Sequence, residues 1–199
     1  GVNADVTLST EGQSAYFVYV DDTEGWKNVI DSTSNLIGNA FISATGGTIT
    51  TSGNDRIHTF TGPGTFAVSS IASCAPNNVV SYMVVAGGGG GSNGGGGAGG
   101  FREFKSPVTP YTASPLNGNP GGTQITATVS SIPVTVGGGG TGGIGGTGSS
   151  TTATAGSNSI FSTVTSAGGG AGHSRTDPTP AGSPVMDGGS GGGETGNNP

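Results

Sequence analysis

The run VVAGGGGGSNGGGGAGGFRE, residues 84–103, sets an apolar β-branched stretch directly against eleven glycines in the fourteen positions from Gly87 to Gly100. Glycine loses more backbone freedom on ordering than any other residue, so a fixed run of it must recover that entropy through packing or hydrogen bonds. Without a Cβ, neighbouring segments can approach backbone to backbone. Extended segments with three residues per turn, of the polyproline II type, can then hydrogen-bond laterally into a bundle that needs no hydrophobic core. Buried N–H and C=O groups pair between segments, and weak Cα–H contacts add to them. This polyglycine II-type architecture is the expectation for Gly87–Pro199, with Gly87, Gly91, Gly94, Gly97, Gly100, Gly137, Gly140, Gly168 and Gly170 as its structural glycines.

Working outward, the same idea recurs. YMVVAGGGGG (82–91), IPVTVGGGGTGG (132–143) and STVTSAGGGAG (162–172) are each a short β run that empties into glycine, a loose internal repeat. The connections KSPVTPYTASPLNGNPGG (105–122) and HSRTDPTPAGSPV (173–185) are rich in Pro, Ser and Thr and read as irregular surface loops. Toward the N-terminus, strands are expected at Asp5–Ser9 and Ala15–Val20, with an acidic turn Asp21–Gly25 before Trp26–Ile30. AYFVYV (15–20) is apolar on both faces, as in a strand sandwiched between layers or subunits. In GGTITTSGNDRIHTFTGPGTFAV (46–68) a hairpin is expected between RIHTFT and TFAV across Gly62, Pro63 and Gly64. NVVSYMVVAG (78–87) then supplies one further strand. The fold class is all-β with essentially no α-helix: β modules over 1–44 and 45–86, then a glycine-rich module with Pro/Ser/Thr loops over 87–199.

Composition agrees. Of 199 residues only 30% are hydrophobic and 8% charged, so no single large core can form. The 44 glycines and 11 prolines follow no Gly-X-Y register, which excludes collagen, and no heptads run through the chain. A net charge of -6 disfavours nucleic acid and anionic membranes as partners. No apolar run approaches a membrane span and no signal pattern opens the chain; lacking an initiating Met, it reads as an internal or processed piece of something longer. Cys74, the only cysteine, excludes an internal disulfide and reads as a small buried apolar residue. Stability has to come from elsewhere, and association between chains is the natural source.

The motifs that could carry chemistry are weak. G-x-G-x-x-G can be drawn through 87–100, but glycine density alone produces it, and no amphipathic helix follows FREFKSPV (101–108). No Gly-Lys-Ser/Thr exists for a P-loop. Asp21, Asp22 and Glu24 offer clustered oxygens to a calcium ion, yet without EF-hand spacing they read first as a solvated turn. His58 and His173 are too far apart in sequence, and too short of Cys, Asp or Ser partners, to suggest a metal site or triad. No enzyme and no cofactor is expected. Phe101, Phe104, Phe161, Trp26 and Tyr111 are candidates to stack on sugar rings or to plug module interfaces; Phe101 and Phe104, which follow a glycine run, read as packing residues, whereas Tyr111, with the loop around His173 and Arg175, is the candidate for exposed recognition.

Taken together, VYVDDTEGWKNVIDST (18–33), IHTFTGPGTF (57–66), YMVVAGGGGG (82–91) and GGAGGFRE (96–103), followed by IPVTVGGGGTGG and SNSIFSTVTSAGGGAG (157–172), resemble the glycine-rich structural and tail-fibre proteins of tailed phages, in particular those infecting marine cyanobacteria. The resemblance covers most of the chain. It implies an elongated homotrimeric virion fibre, extracellular when functional, with a β-rich shaft joined to other tail or fibre proteins. Glycine-rich modules of this kind pack polyglycine II helices and display loops that meet a host surface glycan or outer-membrane protein. No catalytic motif is carried over. The function expected is therefore structural and adhesive, with a passive spacer, a capsid or baseplate decoration, or a bacterial coat protein as the alternative.

Overall fold

The computed structural model describes residues 15–23, 26–31, 41–118, 124–144, 153–173 and 186–193. Two units divide the chain at Ala40/Phe41. In the first, β1 (Ala15–Tyr19) and β2 (Trp26–Asp31) form an antiparallel hairpin with a register shift between Tyr16 and Phe17. Tyr19 meets Trp26 edge to face at 5.5 Å, and the Asp21 carboxylate accepts the Thr23 N–H at 2.8 Å, an Asx turn that closes the hairpin. Tyr16 and Trp26 are 64% and 70% exposed. The strand expected at Asp5–Ser9 lies outside the described residues.

The second unit contains β3 (Ser43–Thr45), β4 (Thr48–Ser52), β5 (Asp55–Thr59), β6 (Gly64–Ser70), β7 (Val79–Val80), β8 (Tyr82–Val85), β9 (Phe101–Phe104), β10 (Ile125–Thr126), β11 (Ser131–Thr135), β12 (Ser159–Phe161) and β13 (Val164–Ser166). The largest sheet has the order β13-β12-β11-β6-β3 with every pair antiparallel; β4-β5, β7-β10 and β8-β9 form separate antiparallel pairs. The fold is all-β. No α-helix occurs among the described residues, and a 3-10 turn spans Ala75–Asn78.

Three expectations need correction. The hairpin across Gly62–Gly64 does not form: β5 returns on β4 through Gly53 and Asn54, while β6 pairs with β3 and β11. Gly53 has φ +57, the left-handed conformation that a two-residue hairpin loop needs at its first position, so Ser-Gly-Asn-Asp outcompetes Gly-Pro-Gly as the turn. Phe60 then folds over Gly46, Gly47 and Gly64, where added Cβ atoms would stand 3.1–3.3 Å from its ring. Secondly, the strand expected over 78–87 is split at Ser81 into β7 and β8, which have different partners. Thirdly, Cys74 is exposed. The inward positions of its loop belong to Ala72 and Asn78, whose side-chain amide accepts from the Ala72 N–H at 2.7 Å and donates to the Ala72 carbonyl at 2.9 Å.

Among the described residues the apolar core is small and comes in two clusters. Ala44, Phe66, Val68 and Ala127 form one; Val84, Ile125 and Val164 form the other. Phe161 packs against both, edge-on to Phe66 at 5.9 Å and to Tyr82 at 6.0 Å. His58 lies edge-on to Phe66 at 5.0 Å, with Nδ1 2.8 Å from the Gly46 carbonyl. Strands from both sides of residue 86 thus share the same sheet and the same core.

Candidate functional site

Three strand pairs, β8-β9, β11-β12 and β12-β13, run on into glycine without losing register. In β8-β9, Tyr82 faces Phe104 and Val85 faces Phe101; beyond them Ala86 donates to Gly100 at 3.0 Å, Gly89 to Gly97 at 2.8 Å and Ser92 to Gly94 at 2.8 Å. The β11-β12 register continues as Ser157 donating to Gly138 at 2.9 Å and Thr154 to Thr141 at 3.0 Å. The β12-β13 register continues as Gly156 donating to Gly169 at 2.8 Å. The change is in the period. An antiparallel strand presents the same edge every second residue, whereas these segments bond the same neighbour every third.

Six such segments, 86–92, 94–100, 137–144, 153–158, 167–173 and 189–193, pack in two rows of three. The first row is 137–144, 86–92, 94–100; the second is 153–158, 167–173, 189–193. Within the first row Gly140 and Gly143 donate to Gly88 and Gly91, both at 2.8 Å. Within the second, Gly189 donates to Gly168 at 2.8 Å and Gly170 to Ser190 at 3.0 Å. Between rows, Gly87 and Gly90 donate to Ser157 and Thr154, Gly169 and Gly172 donate back to Gly87 and Gly90, and Gly97 and Gly100 donate to Gly170 and Ala167. Segment 86–92 therefore uses successive residues for different neighbours, 86 and 89 for one, 87 and 90 for two more, 88 and 91 for the fourth.

The spacing explains the glycine. A Cβ on Gly87, Gly89 or Gly90 would stand 2.0 Å from the carbonyl oxygen of Gly138, Gly170 or Thr141 respectively. On Gly88 it would make only ordinary contact at 3.6 Å, and on Gly95 and Gly138 it would meet open space. Counting on by threes from those two open positions gives Ala98, and Thr141 then Ile144, all exposed. Side chains occur where the bundle leaves room for them.

Of the glycines singled out by sequence, Gly87, Gly94, Gly97, Gly137, Gly140, Gly168 and Gly170 each stand where a Cβ would come within 2.1 Å of a neighbouring backbone atom. Gly100 is tight at 2.9 Å, and Gly91 has ordinary room at 3.4 Å. Gly89, Gly90, Gly156, Gly169 and Gly172 are as tightly enclosed and were not singled out. The signal that finds them is the three-residue spacing of Ala98, Thr141 and Ile144.

The recognition candidates are not brought together. His173 lies where the chain leaves the bundle: its N–H donates to Gly193 at 3.1 Å and its carbonyl accepts from Gly94 at 2.9 Å. Ser92, Asn93 and Gly94 turn at that same end, opposite to the end from which the strands enter. Tyr111 lies beyond β9, on the strand side, in the loop 105–118. Its ring has the Lys105 ammonium 5.9 Å from the centroid. Burial, then the field of Glu103 and a hydrogen bond to it, push the Tyr111 hydroxyl above the usual phenol value, while a hydrogen bond with Ser81 works the other way. Glu103, not anticipated from sequence, is only 8% exposed. Arg175 lies outside the described residues.

Asp21 is bonded to Thr23, Asp22 accepts from the Tyr19 hydroxyl, and Glu24 lies outside the described residues. Among the described residues no three His, Cys, Asp or Glu side chains come together as a metal site would require.

No curated protein and no solved structure gives a significant match to the chain. The profile of one family, described as a glycine-rich domain, matches residues 59–199, which takes in strands β6 to β13 and every segment of the glycine bundle. With that match over most of its length, on the residues that build the bundle, the chain belongs to the glycine-rich domain family.

Proposed function

We propose that this chain is a structural and adhesive module of a tailed-phage virion fibre, extracellular when functional, acting without catalysis or cofactor. Its glycine segments are read as polyglycine II helices, whose three residues per turn match the three-residue recurrence of the hydrogen bonds. The observation that carries the reading is the unbroken register from strand pairs into glycine ladders, which supports a stalk that is stiff without a large core. Such a stalk holds apart two kinds of surface. At its far end the chain turns at Asn93 and leaves at Ile144 and His173, the place where loops would meet a host glycan or outer-membrane protein. At the strand end sits the Tyr111 loop.

Assembly with identical chains, three in number, is part of this proposal. It is supported by the β1-β2 hairpin, whose Tyr16, Val18, Tyr19 and Trp26 are 39–70% exposed although an isolated two-stranded hairpin is marginal in water. Several copies on one virion would turn weak single contacts into firm attachment. The deciding experiment is adsorption of the purified full chain to intact marine cyanobacterial cells, with Tyr111→Ala and His173→Ala alongside and sedimentation to establish assembly. Loss of adsorption in a variant that stays assembled supports an adhesin. A parent chain that assembles but does not adsorb makes the bundle a passive spacer.

A further inference from the structure

Glu103 should not be buried where it is. It stands on β9 directly across from Met83 on β8, and directly opposed residues project from the same face of a sheet. Met83 is 66% exposed and Val85, the next residue on that face, 51%, while Glu103 is 8% exposed. What covers the carboxylate is the loop 105–118, which folds back over this strand. The neck of the loop is closed by backbone-level contacts: Lys105 N–H to the Asn117 side chain at 2.8 Å and Gly118 N–H to the Glu103 carbonyl at 2.9 Å. Its middle is held differently. One oxygen of the Glu103 carboxylate accepts both the Ser114 N–H, at 3.0 Å, and the Ser114 hydroxyl.

We propose that Glu103 is the positioning residue of the Tyr111 loop: its carboxylate fixes Ser114, and through it the middle of the loop, so that Val108, Tyr111 and Leu116 are presented outward as one preformed recognition surface. Val108 and Leu116 are each 51% exposed and Tyr111 37%, so the loop shows apolar side chains to solvent while spending its buried polar contacts on the carboxylate. Removing a carboxylate from water is costly unless its hydrogen bonds are replaced, and donors to a charged acceptor are the strong ones. Here those donors come from the middle of the loop. Opening the middle of the loop returns Glu103 to solvent beside Met83, so the closed form of that part depends on Ser114 binding the carboxylate better than water does. Fixing a recognition surface before encounter lowers the ordering cost of binding. The proposal rests on the reading of this loop as a recognition element, and its test separates the two.

The test compares Glu103→Ala, Glu103→Gln and Ser114→Ala in the full chain by amide hydrogen exchange, by titration of the Tyr111 ring carbon, and by adsorption to the same intact cells. Loss of one charge-assisted anchor predicts exchange at 108–116 that is faster by about tenfold or more, with β8-β9 amides unchanged. In Glu103→Ala the Tyr111 titration moves down toward the ordinary phenol value; in Glu103→Gln, whose amide oxygen can still accept from Ser114, loop protection is largely kept while that titration still moves. Loop amides in Glu103→Ala as protected as in the parent, or an unmoved Tyr111 titration, overturn the proposal. If Glu103→Ala also loses the β8-β9 protection, Ser114→Ala decides, because it removes one donor and leaves the strand intact: an opened loop supports the anchor and a closed one refutes it. Should the loop open as described while Tyr111→Ala adsorbs like the parent, the anchor stands and the recognition reading of the loop falls.

Discussion

A single methyl group separates two classes of glycine in this chain. At Gly89 or Gly169 a Cβ would stand 2.0 Å from a carbonyl oxygen of the neighbouring segment, and that oxygen is backbone that cannot step aside. Gly89→Ala and Gly169→Ala are expected to destabilise by about 1–3 kcal/mol or more, as overpacked sites do. Gly95→Ala and Gly138→Ala meet open space at negative φ and are expected to be neutral or to stabilise by roughly 0.4–1 kcal/mol through the unfolded chain. Denaturant midpoints of the four variants check this, and equal losses at all four would remove the distinction. At Tyr111 the shift is upward, so the folded loop favours the neutral phenol. Its contribution is complete below the unfolded value of about 10 and is lost as pH rises through the higher folded value. Phenolate absorbance should rise together with exchange at 108–116 above that point, and a loop that opens already at neutral pH would contradict it.

At the level of elements, the decisive event is the change of period where a strand becomes a glycine ladder. Because a neighbour is met every third residue, removing one residue rotates every later position onto the wrong neighbour. Deleting Gly139 moves Thr141 to the place of Gly140, where its Cβ would lie 1.9 Å from the Thr154 carbonyl. The expected result is loss of protection at the Thr154 amide, whose acceptor Thr141 lies beyond the deletion, with the Ser157 amide and the β3-β6 pair retained, measured by hydrogen exchange; unchanged protection at Thr154 would mean that the ladder tolerates slippage. The same periodicity explains what could be read beforehand. That the glycine runs form an ordered, core-poor bundle fed by strands was legible in VVAGGGGGSN and its repeats. Which glycines face inward was not, since a residue without a side chain carries no alternation, and only Ala98, Thr141 and Ile144 mark the outward row. The Gly62–Gly64 hairpin was misread because two turn signals, Ser-Gly-Asn-Asp and Gly-Pro-Gly, lie within one stretch, and the shorter loop with Gly53 at positive φ closes the tighter pair. Glu103 gave no signal at all: its burial comes from a loop that returns over its strand, a contact that alternation along β9 does not encode.

At the largest scale, among the described residues of the second unit, two small clusters of apolar residues hold the strands while backbone pairing holds the glycine segments. Exposing apolar surface raises the heat capacity of unfolding and exposing polar surface lowers it. Thermal unfolding of the 199-residue chain should therefore show a heat-capacity change per residue below the usual ~12–15 cal/mol/K, read directly by calorimetry. An ordinary value would point to extensive apolar burial between copies. The unbroken register has a mechanical consequence too. A pull applied between the Asn93 end and the strands runs along the segments, while their hydrogen bonds lie across them. Such a load is borne in shear by many bonds at once instead of being unzipped one by one, so a tether built this way would resist drag on the particle it holds without any covalent cross-link.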